Sequence, residues 1–394
     1  MNSSTEKKFF FKPLFYILLA LAACSCLAIA SAQPLISTTA GNPYTLYLKQ
    51  VMWYAIGFAA MFLVYWVQSS SIYKIMWYIY GFLIFTLVLL ALKHRFGIPI
   101  PFAKTINGAT SWFVFPGIGS LQPSEFMKMV LIICLSDIVN RHNELNPIHS
   151  ITTDIMMVIK VLAVSIPPCL LIYLQNDTGV VLIMLTSILF ILFGSGIQTR
   201  WFILGVSVIL LAGGALIFLF IKYPTIFSKI LNSNKMDRFY GWLDPEGTYT
   251  KQGYQLFNAL MSYGTASWFG YGFRSYVMYF PEAQTDFIFA VICQGAGLFG
   301  AFIVLLLILG LDICILYIGM RSENKHKYLC CGLFGLLFFQ QLWNVSMVTG
   351  LLPITGITLP FLSYGGSSLL SYMLIMGILL DIEKETRMKK AKQI

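Results

Sequence analysis

Ten apolar stretches of roughly 20 residues each follow one another along this 394-residue chain, and no other feature limits its fold as strongly. An α-helix rises about 1.5 Å per residue, so about 20 apolar residues cross the ~30 Å hydrocarbon layer of a bilayer. The stretches lie near 14–33, 48–68, 72–92, 123–140, 155–174, 178–197, 201–222, 286–317, 327–348 and 365–383. Only 11% of the residues are charged, against about 25% in soluble domains. A chain that is 58% hydrophobic cannot hide its apolar surface in one aqueous core. The expected fold is an all-α integral membrane protein: one polytopic domain, ten transmembrane helices, and a long outer loop, 223–285, between helices seven and eight. The first stretch follows Lys7-Lys8 and ends at Ala30-Ser31-Ala32, which imitates a cleaved signal. It exceeds the about 7–15 residues of a signal core and is read as the first span.

Charge placement gives the orientation. The net charge is +10, and the basic residues gather at Lys7, Lys8 and Lys12, in short loops, and in the tail KETRMKKAK. That is the bias of cytoplasmic segments, and it places both termini inside. Lys93 and Arg95 then fall on the outer side, against the rule. No folded basic domain exists to bind nucleic acid. The eight cysteines lie within or beside apolar runs and imply neither a disulfide framework nor a zinc site. The four histidines lie in or next to short loops and read as solvated.

Polar groups at membrane depth each need a reason, because a charge there costs at least about 2.5 kcal/mol. Glu125 and Lys128, in QPSEFMK, share a helix face. They either neutralise each other or hold an anionic ligand. Pro123 suits a first helical turn, with Ser120 or Ser124 as cap. Asp177 in QNDTG reads as a turn residue and helix cap. Asp312 and Lys160 read as helix-end groups that snorkel or pair. Tyr254, Leu256, Phe257, Leu260, Met261 and Tyr263 recur near helical spacing, which suggests a helix lying on, or dipping into, the outer membrane face, broken by Gly264, Gly270 and Gly272. Gly295, Gly297 and Gly300 are positions where the eighth helix can bend. Gly365, Gly366, Ser367 and Ser368 open the tenth helix, as an anion-binding N-terminus or as a well-made cap. Four polar clusters, 122–128, 175–179, 237–286 and 349–368, therefore converge on the outer side. They imply a cavity open to the outer leaflet.

FPEAQTDFIFA (280–290) sets Glu282 and Asp286 against an apolar wall. This stretch, with NGATSW (107–112), QPSEFMK (122–128), NDTG (176–179), WLDP (242–245), GYQL (253–256), QLWN (341–344) and GLLPITGITLPFLSYGGSS (350–368), resembles the SEDS family of the FtsW/RodA/SpoVE type over nearly the whole chain. The resemblance implies a ten-helix peptidoglycan glycosyltransferase that polymerises lipid II at the outer face of the bacterial cytoplasmic membrane. It implies release of undecaprenyl diphosphate and a class B penicillin-binding protein as partner. It makes Asp286 the catalytic residue and matches Glu125 and Lys128 to the cavity pair of the family. A divalent cation, Mg or Mn, is implied by the family alone. Gln255 and Ser363 lie inside the matching motifs and join Asp177, Arg238, Arg274, Glu282, Gly365, Gly366, Ser367 and Ser368 as substrate-binding candidates. The chain departs from the pattern at Gln284, where histidine is usual, at Cys293-Gln294-Gly295, where two glutamates are usual, at Asn258-Ala259, and at Asn176.

The implied chemistry needs a general base for the acceptor hydroxyl, and Asp286 is the candidate. The departing diphosphate needs positive charge, from Lys128, Arg238 or Arg274. A lipid II flippase and a non-enzymatic scaffold are the competing readings. A flippase needs a path from the inner leaflet, whereas the polar clusters gather outside. The short termini lean towards RodA, the elongation branch, over FtsW, the division branch.

Overall fold

The computed structural model describes residues 11–36, 43–106, 108–116, 119–223, 233–323 and 325–393. Lys7, Lys8 and Asn107 lie outside the described residues, as do 37–42 and 224–232 of the outer segments. The helices are α1 (Lys12–Ser31), α2 (Pro43–Val67), α3 (Ser69–Phe96), α4 (Pro123–Leu145), α5 (Ile151–Leu174), α6 (Thr178–Gly194), α7 (Thr199–Lys222), α8 (Ser233–Leu243), α9 (Tyr254–Gly264), α10 (Ile288–Arg321), α11 (Lys325–Val348) and α12 (Gly366–Gln393). Eight described helices, α1, α2, α3, α5, α7, α10, α11 and α12, are long and apolar enough to cross a bilayer. At 17 residues α6 is shorter. The more polar α4 buries Glu125 and Lys128. It packs against α3, α5, α6, α11 and α12, so those charges meet protein rather than lipid.

The expectation of an all-α chain fails between α3 and α4. There β1 (Ala103–Ile106), β2 (Ala109–Phe115) and β3 (Gly119–Leu121) form an antiparallel sheet in the order β1-β2-β3. Phe113 sits opposite both Ala103 and Leu121. The strand ATSWFVF is β-branched and aromatic, a composition that fits a pleated surface. Thr110 N donates to Gln175 O at 3.2 Å, and the Asn176 amide donates to Gly108 O at 3.1 Å. The sheet is thereby fixed to the turn between α5 and α6.

Lys93, His94 and Arg95 occupy the last turn of α3, where cations complement the helix dipole. Lys93 Nζ also donates to Ala103 O. Their basic character serves the helix end. The histidines are not solvated loop groups. His142 is buried in α4 with Lys160 Nζ 3.3 Å from its Nδ1, His149 lies 2.8 Å from the buried Asp154, and His94 lies 2.9 Å from Thr110 Oγ1. His326, half-buried in α11, packs its ring near Tyr73. Nor does Asp312 snorkel: it is 5% exposed within α10.

Within the 223–285 loop, α9 packs against the bundle. On α9 the buried residues are Leu256, Asn258, Ala259 and Ser262, which face α10. Leu256 with three small or polar side chains makes the contact, so of the two expectations α9 fits the inward-dipping one. α10 is interrupted at Gly297, whose φ of 64° and ψ of −159° leave the helix. Residues 267–272 fill the gap. Tyr271 N and Gly272 N donate to Gln294 O and Gly295 O at 2.9 Å, and Leu298 N and Phe299 N donate to Ser267 O and Trp268 O at 3.1 Å. The inserted loop satisfies the backbone groups that the break frees, which non-helical backbone at this depth requires. A Cβ at Gly297 would lie 2.5 Å from Gly270 N and Trp268 O. Gln294, at a position where the resemblance leads one to expect an acid, accepts from Ser262 Oγ and donates to Ser275 O at 2.7 Å. It ties the same loop to α9.

Candidate active site

Asp286 precedes α10 by two residues in a tight turn. Thr285 N and Phe287 N both donate to Glu282 O at 3.1 Å, and Glu282 takes the left-handed φ of 55°. Phe280 and Phe287, both fully buried, pack 6.2 Å apart and anchor the two ends of the turn. Three side chains hold it from outside. Asn344 on α11 donates to Asp286 O at 2.8 Å and to Ile357 O at 2.7 Å. Ser363 Oγ donates to Thr285 O at 2.7 Å and accepts from Leu359 N at 2.8 Å. Gln255 on α9 donates to Pro281 O at 3.1 Å. Tyr364 N donates to Gln284 O at 2.8 Å, so Gln284 enters through its backbone.

The half-buried carboxylate of Asp286 faces the 350–365 segment. A Cβ at Gly356 would lie 3.4 Å from Asp286 Oδ2 and 3.9 Å from Arg238 Nη1. Acid and guanidinium therefore converge over this glycine, whose φ is 79°. Burial pushes the Asp286 carboxyl up to about 7, Glu282 pushes in the same direction, and Arg238 opposes both. Thr285 Oγ1 donates to Glu282 Oε2 at 2.7 Å.

A second cluster forms at the start of α4. Lys128 Nζ lies 3.0 Å from Glu125 Oε2 and donates to Tyr372 OH at 3.3 Å. Tyr372 donates to Gln340 Oε1 at 2.9 Å, and Gln340 donates to Thr358 O at 3.0 Å. Asp177 caps α6, accepting from Val180 N at 3.4 Å and from Gln122 Nε2 at 2.9 Å. Burial first, then Glu125, pushes the Asp177 carboxyl up to about 6, against the pull of the Val180 N–H, Lys128 and Gln122. The cap of α4 is Gln122 rather than Ser120 or Ser124. Residues 355–358 lie between the two clusters. Ile357 packs on Gly179, Gly356 lies under Asp286, and Thr358 accepts from Gln340.

Several candidates have structural duties. Ser367 Oγ donates to Ser120 O at 2.9 Å and accepts from Gln122 N at 3.1 Å. Ser368 Oγ donates back to Gly365 O at 3.2 Å. Gly366 packs directly on Trp53. The start of α12 is thus joined to β3 and α4, which favours the cap over the anion site. Arg274 is not brought to Asp286: its N donates to Ser31 Oγ at 3.1 Å and its Nε to Ala30 O at 3.4 Å, at the end of α1. Asn344, Gln340 and Tyr372 were missed as site residues. Their signal is amides and a hydroxyl inside apolar spans, Gln340-Gln341 and Asn344 on α11 and Tyr372 on α12, where burial forces a partner.

Among the described residues, no group of three or more His, Cys, Asp or Glu side chains lies close enough to hold a metal ion. Asp286 and Glu282 supply two carboxylates, and one Glu282 oxygen is already engaged by Thr285. The residues present do not by themselves complete a cation site.

Known proteins match this chain along most of its length. The family model described as cell cycle protein, FtsW/RodA/SpoVE, matches residues 12–388. A protein of Coxiella burnetii named probable peptidoglycan glycosyltransferase FtsW is 32% identical over 380 residues, covering 93% of this chain and 94% of its own. One of the same name from Legionella pneumophila is 30% identical over 367 residues, covering 91% and 87%. A solved chain described under structural coordination of polymerization and crosslinking by a peptidoglycan synthase complex superposes with a TM-score of 0.74 at 23% identity, covering 96% and 98%. The rod shape determining protein RodA of Thermus thermophilus does so at 0.65 and 21%, covering 95% and 97%. At those identities the structures speak for the fold, and the family model and relatives carry the rest: the chain belongs to the FtsW/RodA/SpoVE family of membrane-embedded glycosyltransferases.

Proposed function

We propose that the chain polymerises lipid II into glycan strands, with Asp286 as general base. The observation that carries this reading is a half-buried carboxylate pushed up to about 7 beside Arg238. A base with that pKa is substantially ionised at neutral pH yet still accepts a proton readily. The acceptor sugar's 4-hydroxyl gives its proton to Asp286 as its oxygen bonds to the donor's anomeric carbon. The bond from that carbon to the diphosphate breaks, and undecaprenyl diphosphate leaves as an anion. Arg238 stands where it offsets part of that charge. The Glu125–Lys128 pair and Asp177 form the second polar cluster, towards the donor or acceptor headgroup. Any divalent cation would arrive on the substrate diphosphate, since the protein donors do not complete its coordination.

The proposal includes ten spans with both termini cytoplasmic, α4 and α6 completing the eight apolar helices, and the 223–285 loop outside. It also includes a class B penicillin-binding protein as partner, in elongation or division. Support for the topology comes from the basic tail and from the protein-lined burial of α4. The decisive experiment is lipid II polymerisation by the purified protein with its transpeptidase. Asp286→Ala is expected to reduce polymer by at least about 100-fold, the usual worth of a general base. Undiminished polymer in that variant would remove Asp286 as the base, no polymer from the unmodified protein would leave a scaffold, and lipid II translocation without polymer would leave a flippase.

A further inference from the structure

At the opposite end of the bundle from Asp286, a cavity of about 620 Å³ opens between α1, α10 and α12. Its walls are Phe11, Lys12, Pro13, Ile313, Cys314, Tyr317 and Arg387. Cys314 follows Asp286 by 28 residues, about 40 Å along a helix, so none of these groups belongs to the site described above.

The cavity is lined by two cations, Lys12 and Arg387, and by no acid. Lys12 is the first residue of α1, where a cation is unfavourable to the helix dipole. No acid lies in that first turn, and no side chain caps it. Pro13 offers no N–H of its own. The positive end of α1 and the Lys12 ammonium therefore point the same sign of charge at one place. Arg387 adds a guanidinium from α12. Its Nε is 2.7 Å from the fully buried Glu383, and its plane lies 5.3 Å from the Phe11 ring. Arg321 stands behind the wall, bonded to Tyr317 OH. The rest of the lining is apolar. Leu316 is exposed beside the wall residues Ile313 and Tyr317, and Tyr16 and Leu19 on α1 and Leu309 on α10 are exposed one to two helical turns deeper along the same two helices.

We propose that this cavity binds the phosphate headgroup of an anionic glycerophospholipid, with the acyl chains lying along the exposed stripes of α1 and α10. The cations and the α1 N-terminus select the phosphate. The apolar walls and their continuation into lipid-facing residues select a lipid over a free anion. The site is in the leaflet that bathes the start of α1 and the last turns of α12, the leaflet opposite Asp286.

Native mass spectrometry of the full chain, released from phosphatidylcholine nanodiscs doped with phosphatidylglycerol, tests this. The intact protein is expected to retain phosphatidylglycerol over phosphatidylcholine. Lys12→Gln is expected to weaken that retention about fivefold, the worth of one cation near a lipid surface. Ile313→Trp, which fills the cavity and breaks no ion pair, is expected to abolish the preference. Both residues are exposed, so the folded state serves as its own control by melting temperature. Unchanged retention by both variants would overturn the site. Displacement of phosphatidylglycerol by millimolar inorganic phosphate would overturn the lipid assignment in favour of a free anion.

Discussion

Asp286 sits between two charges of opposite sign, and this arrangement makes its ionisation testable from both sides. A general base acts only when deprotonated, so activity should fall as pH drops through about 7. Arg238 holds the carboxyl down and Glu282 pushes it up. In a kcat/KM–pH profile, Arg238→Ala should move the acid limb to higher pH and lower the plateau. Glu282→Gln should move the limb to lower pH. Limbs that stay in place in both variants would remove Asp286 from the proton transfer. Asp286 itself is legible in the sequence as an acid heading an apolar run. Arg238 is nearly 50 residues away and becomes its neighbour only through the fold. Gln284 illustrates the reverse case. Its departure from the family pattern draws attention in the sequence, yet the turn uses its carbonyl, which any residue would supply.

Helices and loops here are joined by polar contacts inside the bundle, and two of those joints can be weighed. Glu125 and Lys128 are a buried pair on α4 that also reaches Tyr372 on α12. Removing one partner leaves a buried charge, so Glu125→Gln should destabilise by about 3–5 kcal/mol. Glu125→Gln combined with Lys128→Met should recover much of that loss, and unfolding in detergent reads both. A double variant no more stable than the single would contradict a mutually neutralising pair. Gly297 is the second joint. A side chain there meets the 267–272 insertion and must take a left-handed backbone, so Gly297→Val should cost at least about 2 kcal/mol. A melting temperature equal to that of the unmodified protein would mean that the break in α10 is not needed. The glycine spacing marks a bend in advance. That a loop would enter the break is not readable, because its four bonds use backbone groups common to every residue. The β1–β3 sheet stays hidden for a related reason: its strands are short, and β1 and β3, AKTI and GSL, carry no alternating apolar pattern.

Across the whole molecule, the expected orientation is checked by accessibility. A protease site placed within 245–250 should be cut only from outside in intact cells, and a reporter fused after Ile394 should be active only inside. The opposite pattern would place Asp286 away from the outer face and remove the polymerase reading. The run of apolar stretches determined a helical membrane protein, because backbone in hydrocarbon must satisfy its own hydrogen bonds and about 20 residues suffice to cross. The motifs determined the family for the same chain length. What the tertiary structure alone decided is which polar residues meet. Glu125, Lys128, Tyr372 and Gln340 come from three helices, and Asp286, Arg238 and Gly356 from three stretches far apart in the chain. Periodicity places a side chain on the face of its own helix. Which face of which neighbour it meets follows from packing between segments far apart in the chain, and no local pattern encodes that.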